Sequence, residues 1–253
     1  MIKLLISGAK GRMGLKVYDA CSLDENITAV CGVNLEEDFS NKDYPIYSSF
    51  SCVKEKVDVI IDFSSPKALD SILEFAIKNN VPAVLCATGY TNEDLEKINK
   101  ASEKIAIFRS ANMSLGVNVL IRAVKHVVSA LSSFDIEIIE KHHNQKADAP
   151  SGTAIMLANA VKEILPENYF TYGREGIVGK RDKKEIGIHA IRGGNIVGEH
   201  DVIFAGENET LTFSHNASDR SVFAFGAVKA AKFIANKTQG LYNMDDLLSE
   251  INA

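Results

Sequence analysis

The 253-residue sequence contains no tryptophan, only five prolines and only four cysteines. It has no low-complexity tract and no internal repeat, so no flexible linker is expected between domains. No run of about 18 apolar residues occurs, which predicts that no helix spans a membrane. The formal net charge is −5, so no overall positive field favours nucleic acid or an anionic membrane as a partner. An acidic ligand would therefore need a local cationic pocket.

The cysteines argue against a zinc site. Cys21, Cys31, Cys52 and Cys86 lack the close spacing of metal ligands, and no histidine lies near them in sequence. Reduced, mostly packed thiols are typical of a cytoplasmic protein, which is the location we expect. The opening segment 1–6 runs into glycines without a cleavage region, so it predicts a first strand and not a signal peptide.

Strand and helix patterns alternate through the first 112 residues. Apolar strand segments lie at 3–7, 27–33, 57–63, 81–86 and 104–108, and helices are predicted at 12–22, after Pro66 and after a capping box at Thr91 and Asp94. Strands separated by helices imply βαβ crossovers. The sequence therefore predicts an α/β fold whose residues 1–112 form a Rossmann-type dinucleotide-binding domain with a doubly wound parallel sheet.

The pattern changes after about residue 112. Helices are predicted at 115–131 and 153–165, and strands at 134–140, 185–192, 196–205 and 209–215. The first of these helices places its predicted apolar side at Val119, Leu120, Ala123, Val127 and Leu131. We expect residues 113–219 to form an α+β domain with a mixed, largely antiparallel sheet. The apolar positions of a last helix, at 221–235, could cover either domain.

A glycine-rich turn joins the first predicted strand to the first helix. Gly8, Gly11 and Gly14 have the G-x-x-G-x-x-G spacing of a variant dinucleotide fingerprint. Glycines permit a sharp turn and let backbone N–H groups approach a pyrophosphate, while the helix N-terminus adds positive potential. Lys10 and Arg12 place cations beside that phosphate. The alternative is a tight turn with a purely structural role.

The residues at the ends of the next strands bear on the same site. Asn34 occupies the position where an acid usually binds the ribose hydroxyls, and an amide does not repel a 2′-phosphate. The cofactor is therefore NADH, NADPH or both. The loops 63–65, 87–89 and 110–113 follow further strands and should line the same crevice. Helix capping explains the serines of the first loop at least as well.

Segment 140–154 gathers two imidazoles, the side chain of Lys146 and a Pro-Ser-Gly-Thr turn. His142 and His143 should point to opposite faces of an extended backbone, so they cannot share one role. Histidine is the usual general acid near neutral pH. Lys146 offers a charge for a carboxylate, and the N–H groups of 151–153 form a second anion site at a helix start. These groups suit a small dicarboxylate; the alternative is a histidine pair on a solvated loop. The histidines lack zinc spacing, so no metal is expected.

Taken together, these motifs resemble the dihydrodipicolinate reductase (4-hydroxy-tetrahydrodipicolinate reductase) family. The resemblance covers the whole chain and rests on segments 8–14, 62–66, 87–89, 111–118, 140–154 and 198–201. It implies NAD(P)H-dependent reduction of 4-hydroxy-tetrahydrodipicolinate, a small cyclic dicarboxylate, to tetrahydrodipicolinate with loss of water, in the diaminopimelate route to lysine. It also implies a homotetramer formed through the second domain's sheet, with segment 220–253 packed on the nucleotide domain.

The resemblance further implies roles for individual residues. His142 is the implied proton donor, Lys146 a second donor or electrostatic partner, and His143, Gly152 and Thr153 are implied substrate ligands. The implied cofactor contacts are Gly8, Ala9, Lys10, Gly11, Arg12, Met13, Asn34, Ala87, Thr88, Ser110, Ala111, Asn112, Met113, Arg220 and Phe223. Two positions depart from the family pattern: Ala87 lacks the hydroxyl that many members carry there, and Asn34 replaces the commoner acid.

Two other functions fit the sequence less well. A different two-domain reductase, acting on an imino acid, would need another central segment. A dinucleotide-sensing regulator would need a basic DNA-binding module, which neither the charge balance nor a helix-turn-helix pattern supplies.

Overall fold

The computed structural model of the chain describes residues 1–38, 40 and 43–251. The chain divides into two compact units. Unit 1 comprises Met1–Leu115 and the C-terminal part that begins at Arg220, and unit 2 comprises Gly116–Asp219. Residues 39, 41 and 42 of the expected domain 1–112, and the last two residues of the expected segment 220–253, lie outside the described residues.

The described residues form twelve strands and seven α-helices. The strands are β1 (Ile2–Ser7), β2 (Ile27–Val33), β3 (Ile46–Tyr47), β4 (Val59–Asp62), β5 (Ala83–Leu85), β6 (Ala106–Arg109), β7 (Asp135–His142), β8 (Tyr169–Tyr172), β9 (Glu185–Arg192), β10 (Gly198–Ala205), β11 (Thr210–Ala217) and β12 (Gly240–Tyr242). The helices are α1 (Arg12–Ser22), α2 (Leu69–Asn79), α3 (Asn92–Ser102), α4 (Leu115–Val128), α5 (Gly152–Ile164), α6 (Ser221–Ile234) and α7 (Met244–Ile251). None of these helices is both long enough and apolar enough to cross a bilayer.

Unit 1 is built on a seven-stranded sheet in the order β12-β6-β5-β4-β1-β2-β3. Its paired strands all run parallel. All four residues of β4 are buried, as expected of a strand covered on both faces. Because β1 lies between β4 and β2, the order of the strands reverses beside it, and a crevice for ligands opens at the carboxyl end of β1. The predicted Rossmann-type parallel sheet is confirmed.

Helices of unit 1 pack as their apolar spacing requires. In α1 the buried residues include Val17, Ala20 and Cys21, which recur on one side of the helix. The predicted capping box opens α3: Thr91 Oγ1 accepts from the Asp94 N–H at 3.2 Å, and Asp94 Oδ2 accepts from the Thr91 N–H at 2.9 Å. Helix α6 packs against α1, and its buried alanines join the core of unit 1.

Unit 2 contains a five-stranded sheet in the order β11-β10-β7-β9-β8. The sheet is mixed, as expected, but its strand pairs are divided equally and are not largely antiparallel: β10 is antiparallel to both β11 and β7, whereas β9 is parallel to both β7 and β8. Helices α4 and α5 contribute to a core that includes Leu120, Val124 and Leu157. Along β7 buried and half-buried residues alternate, so Ile136 and Ile138 enter this core.

Two predictions for unit 2 were wrong in detail. Strand β7 continues to His142, two residues beyond its predicted end, because its pairing with β9 continues to that residue. The buried side of α4 includes Val117, Leu120, Val124 and Val128, whereas Val119 is 49% exposed. This helix carries apolar residues on more than one side, so its spacing alone did not identify the side that packs.

Candidate active site

The alternation of β7 places a carboxylate and an imidazole on the face that carries its apolar core residues. Glu140 is 0% exposed and His142 is 9% exposed. The two side chains are hydrogen-bonded, with 2.6 Å between His142 Nδ1 and Glu140 Oε2. An ionised carboxylate can only accept, so the proton of this hydrogen bond lies on Nδ1. The polar pair therefore continues the buried face of the strand.

Three further N–H groups donate to Glu140. Arg192 Nη1 donates to Oε2 and Arg192 Nη2 donates to Oε1, both at 2.7 Å. The backbone N–H of Ser151 donates to Oε1 at 2.9 Å. Burial raises the pKa of Glu140, but the hydrogen bonds from Arg192, His142 and Ser151 together bring it below its ordinary value. Glu140 is thus ionised at neutral pH although it is buried.

The second imidazole of the site belongs to His200. Its ring lies 5.2 Å from the His142 ring, centroid to centroid, at 75°. His200 Nε2 is hydrogen-bonded to Ser151 Oγ at 2.9 Å, while its Nδ1 is buried and makes no hydrogen bond to a described residue. Burial is the main cause that lowers the pKa of His200 to about 4. His200 is therefore neutral at pH 7.

The other ring nitrogen of His142, Nε2, lies beside Gly198. A Cβ on Gly198 would come within 3.1 Å of it, so any larger residue at this position would crowd the imidazole. Burial lowers the pKa of His142, and Glu140 acts in the opposite direction by stabilising the charged form. His142 thus has one nitrogen engaged by a carboxylate and one beside a glycine, which suits a proton donor.

The remaining predicted substrate residues lie between β7 and the first turn of α5. Ser151 is the N-cap of α5, and its Oγ accepts from the Ala154 N–H at 3.2 Å. The first turn of α5 carries no acidic side chain, and there is open space around the Cα of Gly152. A helix start of this kind attracts an anion. The structure places His143 and Thr153 half-buried in the same segment.

Lys146 is engaged in an ion pair. Its Nζ lies 2.7 Å from Asp148 Oδ1 and 2.8 Å from Oδ2, and its backbone N–H donates to the His143 carbonyl at 3.1 Å. Hydrogen bonding from Lys146 lowers the pKa of Asp148. A substrate carboxylate that binds Lys146 would therefore compete with an existing carboxylate.

The glycine-rich turn at residues 8–14, here called the nucleotide loop, has a backbone shape that suits a pyrophosphate. Gly8 has a φ of +79°, and a Cβ there would come within 3.0 Å of the Ser64 Cα. A Cβ on Gly14 would overlap the carbonyl oxygen of Gly8. Helix α1 has Gly11 as its N-cap, without a side-chain cap, and no acidic residue in its first turn. Its first N–H groups therefore suit an anionic ligand, and the loop fits a dinucleotide.

Cations and acids both lie near this loop. Lys10 Nζ is 4.0 Å from Glu36 Oε2 and 3.8 Å from Asp38 Oδ2. Arg12 is exposed and Asn34 is half-buried. The acids that follow β2 thus pair with Lys10, which is one of the two cations predicted to meet a phosphate.

Two of the predicted cofactor residues have side chains in the core of unit 1. Ala9 is 0% exposed and Met113 is 3% exposed, so they can meet a ligand only through their backbone atoms. Ser110 Oγ donates to the Asn112 carbonyl at 2.9 Å and so closes a turn after β6. The other predicted contacts are exposed (Gly11, Thr88 and Ala111) or half-buried (Gly8, Met13, Ala87, Arg220 and Phe223).

Sequence reasoning missed Arg192 and His200 as parts of the site. Both come from strands that pair with β7: Arg192 stands opposite His142, and His200 stands opposite Glu140. His200 lies in the motif at 198–201 that contributed to the family resemblance, but its role could not be inferred without the strand pairing. Among the described residues, no cluster of three or more His, Cys, Asp or Glu side chains could hold a metal ion.

Comparisons with known proteins point to one family. A family model described as dihydrodipicolinate reductase, N-terminus, matches residues 2–113, and one described as dihydrodipicolinate reductase, C-terminus, matches 116–248. A 4-hydroxy-tetrahydrodipicolinate reductase of Caldanaerobacter subterraneus subsp. tengcongensis is 49% identical over 99% of each chain. One from Clostridium novyi is 48% identical over the whole of both chains.

A solved structure adds a similarity in three dimensions. Dipicolinate-bound dihydrodipicolinate reductase from Paenisporosarcina sp. TG-14 superimposes with a TM-score of 0.80 at 25% identity, covering 97% of this chain and 99% of that one. The two family models together account for almost the whole sequence. The chain therefore belongs to the dihydrodipicolinate reductase family.

Proposed function

We propose that this chain catalyses the NAD(P)H-dependent reduction of 4-hydroxy-tetrahydrodipicolinate to tetrahydrodipicolinate, with loss of water, in the diaminopimelate route to lysine. The observation that carries the proposal is the buried Glu140–His142 pair next to the N-terminus of α5, whose first turn has no acidic side chain. It combines a proton donor with an anion site. The relatives that match over the full chain act on this substrate according to their names.

His142 is the proposed proton donor. Its Nδ1 is bonded to Glu140, so the proton available for transfer is the one on Nε2 of the imidazolium. Lys146 and the N–H groups of Gly152 and Thr153 are the proposed partners of the substrate carboxylates, with His143 as a further ligand. Each contributes a positive charge, a positive dipole or a hydrogen-bond donor where the substrate is anionic.

The nucleotide loop of unit 1 is the proposed cofactor site. Backbone N–H groups of 8–13 would bind the pyrophosphate, Lys10 and Arg12 would add charge, and Asn34 would meet the ribose. When bound, the reduced nicotinamide supplies the hydride. Because Asn34 bears no charge to repel a 2′-phosphate, we expect both NADH and NADPH to be used. The loops 87–88 and 110–113, with Arg220 and Phe223, complete the proposed contacts.

We also propose that the chain acts in the cytoplasm as a homotetramer assembled through the sheet of residues 113–219. Analytical ultracentrifugation measures this state directly: a species of four chains is expected, and a monomer at working concentration contradicts it.

The activity is tested by following the loss of reduced-nicotinamide absorbance with NADH and with NADPH. Substrate is generated freshly from pyruvate and aspartate semialdehyde by the synthase that makes it. We expect oxidation with both cofactors, and His142→Gln should lower turnover by roughly 10²–10⁴. His126→Gln, a change at an exposed histidine of α4, is the matched control and should keep normal turnover. A folded protein that binds cofactor without oxidising it would overturn the proposal.

A further inference from the structure

The Glu140 carboxylate joins parts of the site that come from three separate segments. Its two oxygens receive four hydrogen bonds, from His142, from both terminal nitrogens of Arg192 and from the Ser151 N–H. A buried carboxylate is costly unless it is paired and hydrogen-bonded. These four hydrogen bonds, two of them from a guanidinium, keep the carboxylate ionised and fix its position.

The first consequence concerns the tautomer of His142. A neutral imidazole carries its proton on either Nδ1 or Nε2, and an ionised acceptor 2.6 Å from Nδ1 selects the Nδ1–H form. Nε2 is then the nitrogen that gains and loses a proton. This is the nitrogen beside Gly198, where a side chain in place of the glycine would crowd it.

The second consequence concerns the start of α5. Glu140 Oε1 accepts from the Ser151 N–H, and Arg192 Nη2 donates both to this oxygen and to the Asp148 carbonyl, at 2.8 Å. The segment between β7 and α5 is thus tied down at 142, 148 and 151 through one carboxylate–guanidinium pair. The proposed proton donor and the proposed anion site share a single anchor.

We infer that Glu140 is a positioning residue: it holds His142 in the Nδ1–H tautomer, so that Nε2 serves the substrate, and it fixes the start of α5 relative to that imidazole. The inference rests on the proposed function of His142. Glu140 itself touches no reacting atom.

Other charged groups also act on His142, so the test must separate them from Glu140. Beside Glu140 on β7, they are Arg192 of β9, His200 of β10, and Lys146 and Asp148 of the following segment. Arg192, Lys146 and a protonated His200 oppose a positive charge on His142, whereas Glu140 favours it. Removing the charge of Glu140 alone should therefore make His142 harder to protonate.

The test is Glu140→Gln, examined first by NMR of isotopically labelled imidazole nitrogens, with the His142 resonances assigned from their absence in His142→Gln. An amide can donate to Nδ1 as well as accept from it, so the neutral ring should become a mixture of tautomers. The alkaline limb of the kcat–pH profile should move to lower pH, because His142 becomes harder to protonate. The value of kcat should fall about 100-fold, because the His142 imidazole and the start of α5 are no longer held in place.

Two variants separate charge from position. Glu140→Asp keeps the charge but shortens the side chain, so it should lower kcat while the alkaline limb moves less than in Glu140→Gln. Glu137→Gln removes a carboxylate from the other face of the same strand, where it is bonded to His189, Arg174 and Arg181. It should leave the His142 tautomer and the pH profile as in the unmodified protein.

Folding is checked by circular dichroism and by cofactor binding. A folded Glu140→Gln that keeps the Nδ1–H tautomer and an unmoved pH limb would overturn the inference. If this variant does not fold, Glu140→Asp decides: unchanged kcat would show that the position of the carboxylate has no effect. The NMR measurement needs no turnover, so it also separates this inference from the proposed role of His142 as proton donor, which fails if His142→Gln stays active.

Discussion

Each of the two units buries one carboxylate completely, Glu140 in unit 2 and Asp62 in unit 1. Asp62 is the last residue of β4, and Glu140 lies two residues before the end of β7. Both strands lie in the interior of their sheets. The two carboxylates are equally buried and similarly placed, so they differ mainly in their hydrogen-bond partners.

Those partners differ in charge and in number. Glu140 receives a bidentate guanidinium, an imidazole and a backbone N–H. Asp62 receives the N–H and O–H of Ser64, both at Oδ1, and its Oδ2 makes no hydrogen bond to a described residue. Burial raises the pKa of Asp62, and the uncharged donors around it, Ser64 first and then the hydroxyls of Ser7 and Tyr90, only partly offset this rise. At Glu140 the donors outweigh burial.

The difference shows that burial alone does not decide whether an acid is charged. A cation in bidentate contact keeps Glu140 ionised, and the ionised form can then orient an imidazole. Asp62 holds the turn at Ser64, which lies against Gly8 of the nucleotide loop. One acid therefore holds an imidazole through its charge, and the other holds the turn at Ser64 by accepting uncharged donors.

The largest expected effect comes from taking away the cation of the unit 2 pair. Arg192→Met should lower the free energy of unfolding at pH 7 by roughly 3–5 kcal/mol, because it leaves the Glu140 charge buried without its main partner. Urea denaturation at a fixed protein concentration measures the loss. Arg192→Met combined with Glu140→Gln should lose less than Arg192→Met alone, since no buried charge remains. A loss in the double variant equal to the sum of the losses in Arg192→Met and Glu140→Gln would contradict this account.

An intermediate effect is expected from His200, a buried base whose hydrogen-bond partner is the uncharged hydroxyl of Ser151. Its folded pKa of about 4 lies below the ordinary value of 6.5, so the unfolded chain binds the proton first as pH falls. The stability contributed by neutral His200 is complete above about pH 6.5 and is lost as pH falls towards 4. The unmodified protein loses free energy of unfolding between pH 6 and 4.5, and His200→Gln should reduce that loss by roughly 2 kcal/mol.

The measurement is the free energy of unfolding as a function of pH, compared with His126→Gln, whose exposed histidine should leave the curve unchanged. A His200→Gln curve that keeps the full slope of the unmodified protein between pH 6 and 4.5 would show that His200 is not held neutral.

The fold of unit 1 could be predicted because its elements leave strong local patterns. Strand β4 is an apolar run that stays buried on both faces, and α3 begins at a capping box that can be read from Thr91 and Asp94. Shorter elements, such as β3 with two residues and β12 with three, are too brief to show a period. They form because neighbouring strands offer them an edge.

Residues of the candidate site could be proposed from the sequence only where they lie close together along the chain. His142 and Lys146 belong to one short segment, so their types and spacing indicated an acid and a cation. Arg192 lies 52 residues from Glu140, and His200 lies 49 from Ser151. Their positions depend on the register of β9 and β10 against β7, which tertiary packing fixes and a local pattern does not contain.

The smallest effect should distinguish Asp62 most clearly from Glu140. Asp62→Asn resembles the protonated acid, so at pH 7 it should leave the protein as stable or more stable by about 1 kcal/mol. Because the folded pKa of Asp62 is raised, its ionised form costs stability as pH rises above the ordinary value near 3.8. The advantage of the amide should therefore shrink as pH falls towards 4, as urea denaturation at several pH values can show. A loss at neutral pH comparable to that of Arg192→Met would mean that the charge of Asp62 matters as much as that of Glu140, and the contrast between the two units would fail.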